Sequence, residues 1–265
     1  MLRRSSPFLV LGMITVVASC SNLTGVGSSS GTPVGIVLMD ARTKGAGYTT
    51  YPRVNFYLAS SFAYSPAPSD SCIASNYDST TFTNTATQIG AGAYVIASVS
   101  GNTDSLYKAA TGDLTYHSSH SAGLPFNPGD SVFFSIAGDL AGFPQMQGRG
   151  RTAEPFIIVR PTNPPFGQPM VVQWTPTTDN NAAMYVALIY NSGGGTALNT
   201  QIFCDFHDDG QGSVQASLLP QLAASAVPFV VQAQRVRSNL VVSSTTPPAY
   251  LDIISTFMVP TPVSP

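Results

Sequence analysis

MVVQWTPTTDNNAAMYVALIY, residues 170–190, decides the fold class. Met170, Val172 and Trp174 alternate with Val171, Gln173 and Thr175, and Met184, Val186, Leu188 and Tyr190 alternate with Tyr185, Ala187 and Ile189. A period of two places each set on one face of an extended strand. The pattern continues downstream. A strand ends near Cys204, another runs from Ser213 to Ser217, Phe229, Val231 and Ala233 share a face, and Leu251, Ile253 and Phe257 mark the last strand. Gly193-Gly194-Gly195 and Asp208-Asp209-Gly210 punctuate them as turns. Residues 217–223 read as one helical turn crossing between sheets. About seven strands in residues 169–260 have the spacing of a β-sandwich.

The upstream half reads the same way. Val34–Met39 is a short apolar run, Val54, Phe56 and Leu58 alternate with Asn55 and Tyr57, and Tyr94–Val99 is a further run. Asn127-Pro128-Gly129-Asp130 is a turn that opens a strand with Val132, Phe134 and Ile136 on one face. Pro155–Val159 is expected to close this half, and residues 161–168, PTNPPFGQ, to link it stiffly to the next. The expectation is an all-β protein of two antiparallel β-sandwich domains, 34–160 and 169–260, with a short tail at 261–265.

Composition supports this. The chain of 265 residues has 23 glycines and 21 prolines, and only 9% of its residues are charged. Glu occurs once, at Glu154, so good helix formers are scarce and a helical bundle is excluded. A hydrophobic content of 43% argues against disorder. A net charge of −2 offers no footprint for nucleic acid.

Arg3 and Arg4 precede an apolar run from Phe8 to Ala18 that ends at Ser19-Cys20. This is a charged, an apolar and a small-residue region in the order of an export signal. The run is much shorter than the ~20 residues of a membrane-spanning helix. Val17-Ala18-Ser19-Cys20 resembles the lipobox of bacterial lipoproteins. The resemblance implies a signal peptide over 1–19, cleavage before Cys20 and acylation of that residue. The membrane is then a partner through the lipid anchor, and Ser21 in place of Asp points to the outer membrane. Residues 20–33 become the lipidated Cys and a Gly/Ser-rich tether. The whole chain resembles bacterial lipoproteins with two β-domains, a likeness that brings no function with it. Residues 169–260 resemble an immunoglobulin- or fibronectin-like module, although Trp174 precedes Cys204 and no second Cys follows within the module.

Candidate chemistry is sparse. Beyond Cys20 only Cys72 and Cys204 remain, which suits either a disulfide joining the halves or two buried thiols. Asp205, His207, Asp208 and Asp209 in FCDFHDDG are weak candidates for a divalent cation, and a hairpin turn is the preferred reading. His117 and His120 in YHSSH have zinc-compatible spacing only on a helix, and read as a solvated loop. Gly148-Arg149-Gly150-Arg151 lacks the Lys and Ser/Thr of a phosphate loop; it reads as an exposed loop whose arginines suit an anionic surface polymer. Among the aromatics of residues 48–64, Phe56 and Phe62 are expected in the core. Tyr48 and Tyr51, in a Gly/Thr-rich turn, are expected as exposed ligand contacts.

No catalytic residue, metal or cofactor is assigned. The expected function is that of a non-catalytic binding, adhesion or envelope-structural module, with an envelope protein or a polysaccharide as partner. The alternatives are a carbohydrate-binding surface lipoprotein and a hydrolase in which Asp and His or Ser converge. Cys20→Ala should abolish acyl labelling and leave precursor or soluble protein; unchanged labelling refutes the lipobox assignment.

Overall fold

A computed structural model describes residues 31–44, 46–60, 68–77, 86–108, 112–159, 161–177, 182–193, 198–219 and 229–260. Cys20 and its signal segment, Phe62, Tyr64, Gly194, Gly195 and the expected helical turn beyond Leu219 lie outside these residues.

The described strands are, in chain order, β1 Thr32–Lys44, β2 Gly47–Thr50, β3 Arg53–Ala59, β4 Ser71–Asn76, β5 Thr87–Gln88, β6 Tyr94–Val99, β7 Asn102–Lys108, β8 Tyr116–Ser118 and β9 Leu124–Phe126. They continue as β10 Ser131–Ile136, β11 Met146–Arg151, β12 Ile158–Val159, β13 Met170–Trp174, β14 Ala182–Tyr190, β15 Thr200–His207, β16 Gln211–Val214, β17 Phe229–Val242 and β18 Tyr250–Pro260. The only helical element among the described residues is a 3-10 turn, Ala216–Leu218.

The protein is all-β, with a large mixed sheet and a small antiparallel one. The large sheet has the main order β11-β10-β6-β7-β8-β3-β1-β18-β17-β14-β15-β4, with β2, β5 and β9 paired off this path. The small sheet is β12-β13-β16. The expectation of purely antiparallel pairing is corrected at one place. β1 and β18 run parallel, from Val34 opposite Tyr250 to Ala41 opposite Phe257. Parallel neighbours need a long connection, and here it is nearly the whole chain. The large sheet therefore takes strands from both sides of residues 161–168.

Those eight residues connect β12 to β13, and the two strands pair with each other, Ile158 opposite Trp174. The Pro- and Gly-rich stretch is thus the loop of a hairpin inside the small sheet. Pro155–Val159 correspondingly leads into the small sheet rather than closing the first half. The same stiffness suits a linker and a loop, so composition alone did not separate them.

Alternation holds almost everywhere. Val132, Phe134 and Ile136 are buried, as are Met170, Val172 and Trp174, and Met184, Val186, Leu188 and Tyr190. They belong to one continuous core with Val37, Phe56, Leu251 and Ile253. In β14 the intervening Tyr185, Ala187 and Ile189 are buried as well. A second, smaller apolar cluster, including Val34, Ile36, Tyr57, Tyr185 and Ile254, lies on the opposite face of the central strands.

Gly148-Arg149-Gly150-Arg151, expected as a loop, is most of the edge strand β11. Its glycines point inward and its arginines outward. A Cβ on Gly148 would stand 2.7 Å from Leu251 Cδ2, and one on Gly150 2.7 Å from Ile253 Cγ2. Only a bare backbone packs this closely against β18, so β11 lies directly on the central strands.

One buried arginine joins the parts. Arg235 on β17 is 1% exposed. Its Nε and Nη2 donate to the two oxygens of Asp208, Nη2 also to Thr175 O, and Nη1 to Pro155 O at 3.1 Å and Glu154 O at 3.3 Å. Trp174 Nε1 donates to the same Asp208 at 2.7 Å, and the guanidinium lies 5.2 Å from the Phe156 ring centre. All five guanidinium donors are used. Arg237, two residues on, grips Glu154 through two hydrogen bonds. Arg235→Ala should lower unfolding free energy by about 3–5 kcal/mol, because Asp208 is left buried without its counter-charge, with Trp174 Nε1 as its remaining side-chain donor. Denaturant titration measures this, and a loss below about 1 kcal/mol contradicts the assignment.

Candidate functional site

Cys72 on β4 lies directly opposite Cys204 on β15, and the two form a disulfide with an S–S distance of 2.03 Å. The bond spans a sequence separation of 132 residues and clamps an uncharged six-residue edge strand onto the far side of the large sheet. In the chain-entropy view a loop of this length contributes about 5 kcal/mol.

The FCDFHDDG cluster separates into individual roles. Asp208 is consumed by Arg235 and Trp174. Asp209 Oδ1 accepts from the Gln211 backbone N–H, a turn contact. His207 pairs through Nδ1 with Asp70 at 2.7 Å, and Asp205 accepts from the Ser69 N–H at 3.3 Å. The expected hairpin turn at 208–210 is a corner: β15 pairs with β14 and β4, whereas β16 pairs with β13 in the other sheet. Gly210, at φ 106°, allows that change of direction. No group of three or more His, Cys, Asp or Glu side chains is placed to hold a metal among the described residues.

Tyr48 and Tyr51 are not the exposed pair that the sequence suggests. Tyr48 is half-buried between the rings of Phe126 and Phe257, with centres at 6.0 and 6.1 Å. Pairing of β2 with β9 brings Tyr48 opposite Phe126 and draws it onto the core. Tyr51 is half-buried too, with the Arg42 guanidinium 5.2 Å from its ring centre.

His117 and His120 go to different partners. His117 lies on β8, 3.7 Å from Asp113. His120 pairs through Nδ1 with Asp104 at 2.7 Å; the aspartate side chain is 2% exposed and the histidine side chain 65%. A buried carboxylate orienting an exposed imidazole is the geometry of a general base. Both pairs are made through Nδ1, to Asp104 for His120 and to Asp70 for His207.

The exposed aromatic pair lies elsewhere. Tyr94 on β6 and Tyr107 on β7 are direct cross-strand partners, 41% and 50% exposed, with ring centres 6.4 Å apart and planes inclined at 58°. They lie on the outer face of β11-β10-β6-β7, because Val95, Ala97, Val99 and Leu106 take the core side. Ile96 and Phe133 form a half-buried apolar floor beside them, flanked by Ser98, Ser135, Thr103 and Ser105. Arg149 projects from β11 opposite Phe133. Sequence reasoning missed this face; the alternation of Tyr94 with Val95 and Ala97 could mark Tyr94 as outward, but not Tyr107 as its neighbour.

Burial raises the pKa of two carboxyl groups, and hydrogen bonding lowers that of a third. Desolvation raises the Asp205 carboxyl, against hydrogen bonding from Ser69. Asp113 is held low, chiefly by hydrogen bonds from Thr115. Asp252 on β18 is 1% exposed, and burial pushes it up to about 6, even though Ser238 Oγ donates to it at 2.6 Å. Its second oxygen has no hydrogen-bond partner.

An unfolded Asp titrates near 3.9. Between that pH and about 6 the folded state holds the extra proton. The group's stabilising contribution is therefore greatest in acid and is lost as pH rises through this window, by roughly 3 kcal/mol. The stability of Asp252→Asn relative to wild type should accordingly grow by about that amount between pH 4 and pH 7.5. A difference that does not change with pH would contradict the shifted titration. No family model matches the chain, and no curated protein matches it.

Proposed function

We propose that the protein is a lipid-anchored lipoprotein of the bacterial cell envelope, held on the outer membrane through Cys20, that acts as a non-catalytic binding module. The observation that carries the binding role is the pair Tyr94 and Tyr107, side by side and exposed on the outer face of β6 and β7. Tyrosine presents a large apolar body with a polar tip, and it orders few torsions on binding. Regular strands hold both rings, so little conformational freedom is lost when a ligand docks.

A polysaccharide ligand is the second reading. It is favoured by the hydroxyl side chains around the rings, since Ser98 and Thr103 already hydrogen-bond each other across the strands at 3.1 Å. Such groups suit a hydroxyl-rich partner lying over an aromatic surface.

The test is retention of the detergent-solubilised full chain on washed envelope fragments. The Tyr94→Ala, Tyr107→Ala double variant should lose retention about tenfold with an unchanged melting temperature. Equal retention of variant and wild type would remove this face from the function.

A further inference from the structure

We infer that the outer face of β6, β7, β10 and β11 selects an acidic polysaccharide, with Tyr94 and Tyr107 stacking on sugar rings at one end and Arg149 pairing with a carboxylate or sulfate at the other. This rests on the binding-face reading above and adds the class of ligand.

The register lays out the track. Tyr107 stands opposite Tyr94, Ile96 opposite Ser135, and Phe133 between Ser98 and Arg149. From Tyr94 to Ser98 is four residues along β6, about 13 Å, and from β6 to β11 is two strand spacings, about 10 Å. The path from the tyrosines to Arg149 is therefore roughly 16 Å, diagonal to the strands. Several linked sugar rings span that distance, so a chain fits it better than a single small molecule. The floor of the path is Ile96 and Phe133, and its sides are serine and threonine hydroxyls.

Charge decides the class. The outward positions of these strands are Tyr94, Ile96 and Ser98; Thr103, Ser105 and Tyr107; Ser131, Phe133 and Ser135; and Gln147, Arg149 and Arg151. None is a carboxylate. At the margins, Asp130 accepts from Ser100 and Asn127, and Asp113, half exposed, lies 3.7 Å from His117, which stands opposite Tyr107 on β8. Arg151 Nε donates to Gly129 O, whereas Arg149 is exposed at the middle of the edge strand. A guanidinium presents a planar fork of donors that matches a carboxylate or sulfate. Over β6, β7, β10 and β11 the outward positions thus offer a cation and no acid beside the exposed rings, and Asp113 lies past β7 beside His117.

Native affinity electrophoresis of the detergent-solubilised full chain tests this, with gels containing polygalacturonate, dextran sulfate or neutral dextran. Wild type should be retarded by at least one acidic polymer and far less by dextran. Arg149→Gln should weaken that retardation about fivefold, Tyr107→Ala about tenfold, and raised salt should weaken it further. Melting temperatures should be unchanged by either substitution. Equal retardation by dextran and the acidic polymers overturns the charge selection but leaves a glycan-binding face. Absence of retardation in all three gels, or retardation insensitive to both substitutions, overturns the polysaccharide assignment. If the tyrosine double variant still loses retention on envelope fragments, the broader binding role survives that failure; if it does not, both fail together.

Discussion

The guanidinium of Arg235 meets groups from three separate parts of the chain. Asp208 comes from the corner between the two sheets, Thr175 from the end of the small sheet's central strand, and Glu154 and Pro155 from the segment between β11 and β12. A charge this deeply buried is tolerated only when its partners are complete. That requirement fixes where the small sheet, the corner and the β11 segment meet the central strands. Arg237 and Glu154 repeat the arrangement two residues along β17, closer to the surface.

Around this junction the fold is tied together by strands far apart in the sequence. β1 and β18, the first and last described strands, lie parallel at the middle of the large sheet. β4, from early in the chain, is carried to the far edge beside β15 and bonded there through Cys72 and Cys204. The strands bearing Tyr94, Tyr107 and Arg149 belong to the opposite end of the same sheet, and the glycines of β11 let it lie directly on β18. The candidate binding face is therefore the outer side of strands whose inner side is core. Long-range pairing of this kind folds slowly.

Much of the fold was legible because period two is a local property. Val132, Phe134 and Ile136, or Met184, Val186 and Leu188, declare a buried face without reference to anything distant. The candidate site was less legible for a related reason. Tyr48 and Tyr51 sit in a sequence that reads as an open turn, yet pairing of β2 with β9 packs Tyr48 between Phe126 and Phe257. Tyr94 read as the first residue of an apolar run, and only the hairpin register brings Tyr107 beside it in solvent. Met146 to Arg151 alternates as a strand does, but two glycines on the inward face masked the pattern.

The amino-acid sequence by itself determined an all-β chain, the position of most strands, the core side of those that alternate, and the availability of two cysteines for a bond. These follow from alternation, turn chemistry and composition, which act over a few residues. The tertiary structure alone decided that β1 and β18 run side by side, that residues 161–168 form a hairpin loop, that Asp208 answers Arg235, and that two tyrosines and an arginine share an open face. Each of these depends on which strand lies beside which. Hydrogen bonding between strands is nearly indifferent to side-chain identity, so that choice is made by the packing of the whole core and by the need to satisfy its few buried charges.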